Sequence, residues 1–355
     1  MVRFQMLVEF LYGYSDTSGF SWFRLLYDLV GVVDIILQTY NFIVIYVATP
    51  KSMHGYRFYL YFQTICDLFF ELWYLLVVAP VLVRMPGCIT FRSRLDLSNE
   101  YMRIEMAIVF FLGSLLICAQ HYSCLYRFMV ITKAEDDTVV HGFNRPFMKC
   151  IGVGILLMIS ATVGFCAYEI AADDQYVESA YHLVTAEREK QEHRIVKKKI
   201  YWWCLDWSNR LPWYYTIGTL FLASQIMNFI GFFAIIRLVK SVQNRLTPAT
   251  YKMHVTLSIL LCIQGLVPLF CMVIPMVFIL VIGRLFNLPY VADLTRILFM
   301  LIGAFPLING ILVVTFIGPY RRFAISLWRR LWCIKRTVNV APVVVSQTRT
   351  QGLVE

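Results

Sequence analysis

Thr247 to Pro275 reads TPATYKMHVTLSILLCIQGLVPLFCMVIP. From Val255 onward it is almost wholly apolar, yet it holds Gln264, Pro268 and Pro275, with Lys252 and His254 at its mouth. A helix needs roughly 20 apolar residues to cross a bilayer's hydrocarbon, and this run supplies them. A proline removes one helical hydrogen bond and crowds the turn before it, so Pro268 frees the carbonyl of Gln264. The Gln264 amide, donor and acceptor at once, is placed to bind across helices at that kink. Prolines are also simply tolerated in membrane helices, so the kink alone does not separate a receptor from a transporter.

The rest of the chain fits the same solvent. Its 355 residues are 59% hydrophobic and 15% charged, with a mean hydropathy of +0.65. Soluble domains are about a quarter charged, so this balance excludes an ordinary globule. Seven segments reach spanning length: 25–48, 58–83, 104–130, 148–168, 213–236, 255–283 and 290–317. In lipid each must be helical, because no water satisfies free backbone groups. The predicted fold is all-α: an integral membrane bundle of seven transmembrane helices over residues 1–318, followed by a cytoplasmic amphipathic helix and tail over 319–355. No cleaved signal peptide is expected.

Lys and Arg concentrate in the loops after the first, third and fifth segments and in the tail. The positive-inside bias therefore puts the N-terminus outside and the C-terminus inside. The net charge of +10 is then a feature of the cytoplasmic face, and it does not indicate nucleic-acid binding. Outside, Cys88 and Cys204 are the loop cysteines on the oxidising side, the candidate disulfide, with Cys166 at the end of segment four the competing partner. No cysteine or histidine group has metal-ligand spacing, and no cofactor is expected.

Ionisable residues inside a span are costly and usually face the bundle interior. Asp67 and Glu71 share one face of the second helix. Counting from the inner ends of their segments, Asn41, Asp67 and Asn309 all lie about 12–15 Å deep at 1.5 Å per residue. They are read as one polar network or switch with Glu71, Gln264 and Pro268. Asp34 is not counted in it, so Asp67→Asn is expected to alter signalling more than Asp34→Asn. Only residues 1–24 precede the first segment, so a ligand has to enter the bundle. Candidates lining its outer half are Trp73, Tyr74, Glu105, Trp213, Tyr214, Tyr215, Phe270, Arg296 and Phe299. Aromatic residues at these depths also serve as interface anchors.

Three stretches carry a resemblance: Thr247–Pro275 with Gln264, Pro268 and Pro275; TPKSMHGYRFYLYFQTICDL over 49–68, including Asp67; and IGPYRRF over 317–323. They resemble helix six, the first inner loop with helix two, and the end of helix seven of nematode serpentine chemoreceptors, the superfamily of classes h, i, d and str, closest in pattern to classes h and i. The pattern departs at SCLYRF, where Leu125 and Tyr126 precede Arg127 and the acidic residue some classes carry there is absent. The resemblance implies a G-protein-coupled receptor in the plasma membrane, at the sensory cilium of sensory neurons. It implies a small-molecule ligand and a heterotrimeric G protein as partners.

The rival classes are a transporter and an intramembrane enzyme. A transporter would show internal repeats and paired helix breaks, and neither is visible. An enzyme would need an activated group. His121 is the only histidine well inside a span, Ser123 is on a different face, and no GxSxG motif is present. Coupling is assigned to Arg127, Arg245, Lys252, Arg321 and Arg322, around a cavity at the inner face. After Pro319, Tyr320, Phe323, Leu327, Leu331 and Ile334 fall on one helical face, with Arg322, Arg329 and Arg336 opposite. Such a helix lies in the interface with its apolar face against membrane lipid.

Overall fold

The computed structural model describes residues 22–49, 53–79, 92–93, 99–132, 146–170, 211–241, 243, 248–274 and 291–331. Their helices are α1 (Trp22–Ala48), α2 (His54–Leu76), α3 (Asn99–Thr132), α4 (Pro146–Ile170), α5 (Leu211–Ser241), α6 (Pro248–Pro268), α7 (Val291–Phe316) and α8 (Gly318–Leu331). Three of them start on a proline in the first turn: Pro146, Pro212 and Pro248. The missing N–H is no loss there, because the first turn has no intrahelical acceptor for it.

The helices close a ring. α2 packs on α1 and α3, α5 on α3 and α6, and α7 on α6 and back on α1, while α4 lies along α3. Individually, α1, α3, α4, α5 and α6 are long and apolar enough to cross a membrane. The polar residues inside α2, among them Gln63, Asp67 and Glu71, lower its hydropathy. α7 continues into α8 through a bend of 95°. α8 carries Arg321, Arg322, Arg329 and Arg330 in its 14 residues, so it is not a second half of a span but a helix at the surface.

The outward faces confirm lipid as solvent. Thr39, Thr162, Thr216, Thr219 and Thr315 are exposed, yet each hydroxyl donates to the carbonyl four residues earlier on its own helix, at 2.7–3.0 Å. A hydroxyl facing hydrocarbon has no other partner.

Several boundaries depart from the sequence reading; α6, for one, starts at Pro248 against the expected 255, and α5 runs to Ser241 against 236. α2 stops at Leu76 instead of running to residue 83, and Val78–Ala79 pairs antiparallel with Arg92–Ser93. Pro80 follows, and a residue before proline is pushed out of helical geometry toward an extended one. α3 reaches beyond the predicted 104–130 at both ends, since a helix in water above the bilayer still satisfies its own backbone. Residues 275–283, expected to complete the sixth span, lie outside the described residues.

The core has two stories. One holds Tyr27, Phe70, Tyr74, Met102, Met106 and Phe305. The other, toward the end where α8 begins, holds Ile45, Tyr56, Tyr59, Tyr122, Tyr126 and Tyr320. Between α3 and α4 the backbones approach at Gly164. A Cβ there would stand 3.0 Å from the Ala107 carbonyl oxygen and 3.1 Å from the Phe111 Cβ, whereas at Gly154 on the same helix nothing lies within 4 Å. Small residues are what let membrane helices pack this closely. Gly164→Val should therefore lower the stability of the solubilised protein by about 1–3 kcal/mol, as overpacking does. Gly154→Val should leave its thermal unfolding curve near wild type.

Candidate functional site

α1 turns one polar stripe toward α7: Asp34, Gln38 and Asn41, each buried. The spacing of four and three residues puts them on one helical face. The Gln38 Nε2 donates to the Pro306 carbonyl of α7 at 2.8 Å and to the Asp34 Oδ1 at 3.0 Å. The Asn41 Nδ2 donates to the Gly310 carbonyl at 3.3 Å and reaches the Gln38 Oε1 at 3.5 Å. Gly310 is required for this. A Cβ on it would sit 2.9 Å from the Asn41 Nδ2 and 3.0 Å from the Gln38 Nε2, displacing the very groups that bind α7. Pro306 lies inside α7 one turn before.

Asp67 and Glu71 of α2 are buried beside this stripe, and the Asp34 carboxyl is close enough to interact with both. The Asn309 side chain faces the Asp67 carboxyl, although neither of its amide atoms completes a hydrogen bond in this arrangement. The structure thus brings Asn41, Asp67, Glu71 and Asn309 into one region between α1, α2 and α7. It also corrects the placement of Asp34, which lies inside that region. The signal was present in the sequence, since Asp34, Gln38 and Asn41 repeat at helical spacing.

α6 behaves differently from expectation at its kink. Pro268 is followed by a π turn over Leu269–Val273, closed by the Ile274 N–H on the Leu269 carbonyl. Gln264 is buried, but neither of its amide atoms has a hydrogen-bond partner. The cross-helix bond expected of it is not made. Gln63, Gln120 and Gln225 are buried and unpartnered in the same way. An unmade bond of this kind costs about 1–3 kcal/mol, so the middle of the bundle holds groups that a second arrangement could satisfy. His121 is spoken for: its ring nitrogens meet the Ile117 carbonyl at 2.6 Å and the Ser224 carbonyl of α5 at 2.9 Å. Ser123 bonds back to Ala119. Neither bond joins the two side chains: His121 ties α3 to α5, and Ser123 bonds within α3.

The outer-half residues divide. Trp73 is half-buried with its indole nitrogen unpartnered, and Glu105 is buried near the outer end of α3. Tyr74 is consumed in packing, stacked on Phe70 and tilted against Tyr27, whose hydroxyl donates to the Tyr74 carbonyl at 3.1 Å. Trp213 packs edge-on against Phe165 of α4. Tyr215 and Phe270 do not line the interior: they are 64% and 60% exposed. Ile217 and Cys271 take the inward directions on those turns. Tyr215 sits about 200° round the helix from Ile217, and Phe270 is one step round the π turn from Cys271. The side chains of Tyr214, Arg296 and Phe299 lie outside the described residues, as do Cys88, Cys204 and Arg245. Cys166 is a buried free thiol.

The inner end is closed where a cavity was expected. Arg127 is 3% exposed, with its guanidinium carbon 4.1 Å above the Tyr56 ring. Lys252, Arg321 and Arg322 are exposed around it. Tyr320 was assigned to the lipid face of the last helix, but it is fully buried. It shares a 2.7 Å hydrogen bond with Thr49, which fastens α8 to α1. Burial pushes its hydroxyl up to about 12, so it remains protonated. The 95° bend at Gly318 swings the first turn of α8 under the bundle, while Ile325 and Trp328 stay exposed.

The sequence matches the family described as serpentine type 7TM GPCR chemoreceptor Srh over residues 21–330. The chain belongs to that family. It is a seven-helix, multi-pass membrane receptor of the G-protein-coupled chemosensory type, and the class left open by the motifs is h. A family of receptors is generally not one of enzymes. No curated protein matches the chain. Among the described residues no group of His, Cys, Asp or Glu could hold a metal ion.

Gln38 is the member of the α1–α7 contact that two acceptors share. Gln38→Leu should lower the stability of the receptor in detergent by about 1–3 kcal/mol, the cost of leaving buried acceptors unsatisfied. Asp34→Asn keeps an acceptor in place and should cost less. Thermal unfolding of both variants, side by side, checks the order.

Proposed function

We propose that this Srh receptor binds a small molecule in the outer half of its bundle and signals through its cytoplasmic face to a heterotrimeric G protein. The observation that carries this reading is the π turn after Pro268. It lies at the outer end of the described part of α6, above an inner piece that runs through Lys252 to Pro248. π turns and prolines are where helices bend. An outer contact can therefore swing the Lys252 end without breaking the inner half of the helix. The unpartnered amide of Gln264, one turn below, supports two arrangements of this region.

Trp73 and Glu105 are the described side chains assigned to ligand contact, and Tyr214, Arg296 and Phe299 are assigned to it from their sequence positions. The region of Asn41, Asp67, Glu71 and Asn309 then acts as the switch beneath it. Positive-inside charge puts α8 and Lys252 in the cytosol, in a plasma-membrane receptor for which the family resemblance suggests the sensory cilium. α8 rests on lipid through Trp328 and Ile325, with Arg322 and Arg329 toward anionic headgroups. A Cys88–Cys204 disulfide would tie the outer loops.

Charge reversal at Arg245 and Lys252 should abolish ligand-driven signalling while surface expression persists. A cell-based signalling assay, with antibody staining of intact cells as the expression control, reads both. Signalling that survives the reversal rejects coupling through this turn.

A further inference from the structure

Arg127 is the one cation of α3 carried deep into the inner end of the bundle, and it is not neutralised in the usual way. The residue before it is Tyr126, and among the described residues no carboxylate lies beside it. A buried guanidinium is retained only with compensating partners. Here the partner is Tyr56 of α2: its ring lies 4.1 Å from the guanidinium carbon, and its hydroxyl is also near the guanidinium without completing a hydrogen bond. That ring does not stand alone. Tyr56 stacks on Tyr126 with centroids 6.2 Å apart, and Tyr126 stacks on Tyr59 at 4.1 Å. Tyr59 meets Tyr122 edge-on at 4.9 Å. The Arg127 Nε and one terminal nitrogen have no hydrogen-bond partner, and neither does the nearby His254 Nδ1 of α6.

We propose that the Tyr56 ring is the restraint that holds Arg127 inside the closed cytoplasmic end, an aromatic latch between α2 and α3 where a carboxylate might have stood. The inference rests on the receptor reading above for its signalling consequence alone. Cation–π attraction is strongest when the pair is desolvated, as it is here. It is also weak compared with a buried ion pair, and its release leaves no orphaned acid behind. The unpartnered nitrogens of Arg127 gain water or a partner's oxygens as soon as the guanidinium leaves the ring. The latch thus holds the closed state by a small margin, which suits a receptor that must open on binding a small ligand. Guanidinium geometry is part of the device, because a planar group stacks on a ring and an ammonium does not.

The test uses the full-length receptor in lipid nanodiscs, with spin labels placed at Lys252 and Arg321 through noncanonical amino acids. Double electron–electron resonance then reads the spacing between the α6 end and α8. Tyr56→Phe, which keeps the ring, should reproduce the wild-type distance distribution. Tyr56→Leu and Arg127→Lys should each add a longer-distance population without ligand. In cells Tyr56→Leu should raise ligand-independent signalling several-fold. A wild-type distribution for Tyr56→Leu overturns the proposal, as does an equal shift for Tyr56→Phe, which would assign the restraint to the hydroxyl. Should Tyr56→Leu fail to reach the membrane, Arg127→Lys decides on distance alone. A distance shift with no rise in signalling keeps the latch and removes the G-protein reading.

Discussion

Everything in this bundle depends on two side-chain amides of α1 reaching backbone carbonyls of α7. In lipid there is no hydrophobic drive to bring helices together, so packing and interhelical hydrogen bonds must do it. Gln38 on the Pro306 carbonyl and Asn41 on the Gly310 carbonyl close the ring between its first and last helices. Each such bond contributes roughly 0.6–2 kcal/mol in a bilayer. The closure works because Gly310 lacks a Cβ. It also sets where the acids sit: with α7 drawn against α1, Asn309 is turned to Asp67, and Asp34 falls beside Asp67 and Glu71.

That closed seam gives the other side of the ring its freedom. On the far flank of α7, α6 carries a proline, a π turn and an unpartnered glutamine within ten residues. One side is tied through backbone carbonyls and through Tyr320 to Thr49. The other holds the proline and the π turn, where a helix can bend. A ligand that stabilises the bent form of α6 has only to offset a modest difference, because an equilibrium shifts by the ligand's differential affinity and no more. The inner end, sealed by tyrosines and Arg127, is where that difference would be read out.

Much of this was legible in the sequence, for identifiable reasons. Spanning helices announce themselves by length and apolarity, and Asp67, Asn41 and Asn309 could be set level by counting residues from their segment ends. Motifs around Pro268 and in IGPYRRF pointed to the family that the match over 21–330 establishes. What depth could not give was azimuth. Tyr215 and Phe270 lie at the right height but on the wrong face, because the inward direction on each turn belongs to Ile217 and Cys271. Asp34 was not counted with them, although its spacing to Gln38 and Asn41 placed it on the same face. The burial of Arg127 and Tyr320 depends on tertiary packing of four helices, and no local pattern encodes it. The early end of α2 was readable from Pro80 had chain chemistry been weighed against apolar length.

The α1–α7 seam is tested most directly by a density map of the receptor in lipid nanodiscs at side-chain resolution. The seam requires the Gln38 and Asn41 amides to lie within hydrogen-bonding distance of the Pro306 and Gly310 carbonyls, with Asp34 turned inward toward α2. A map in which α1 and α7 are parted at Gly310, or in which Gln38 and Asn41 face lipid, would contradict it.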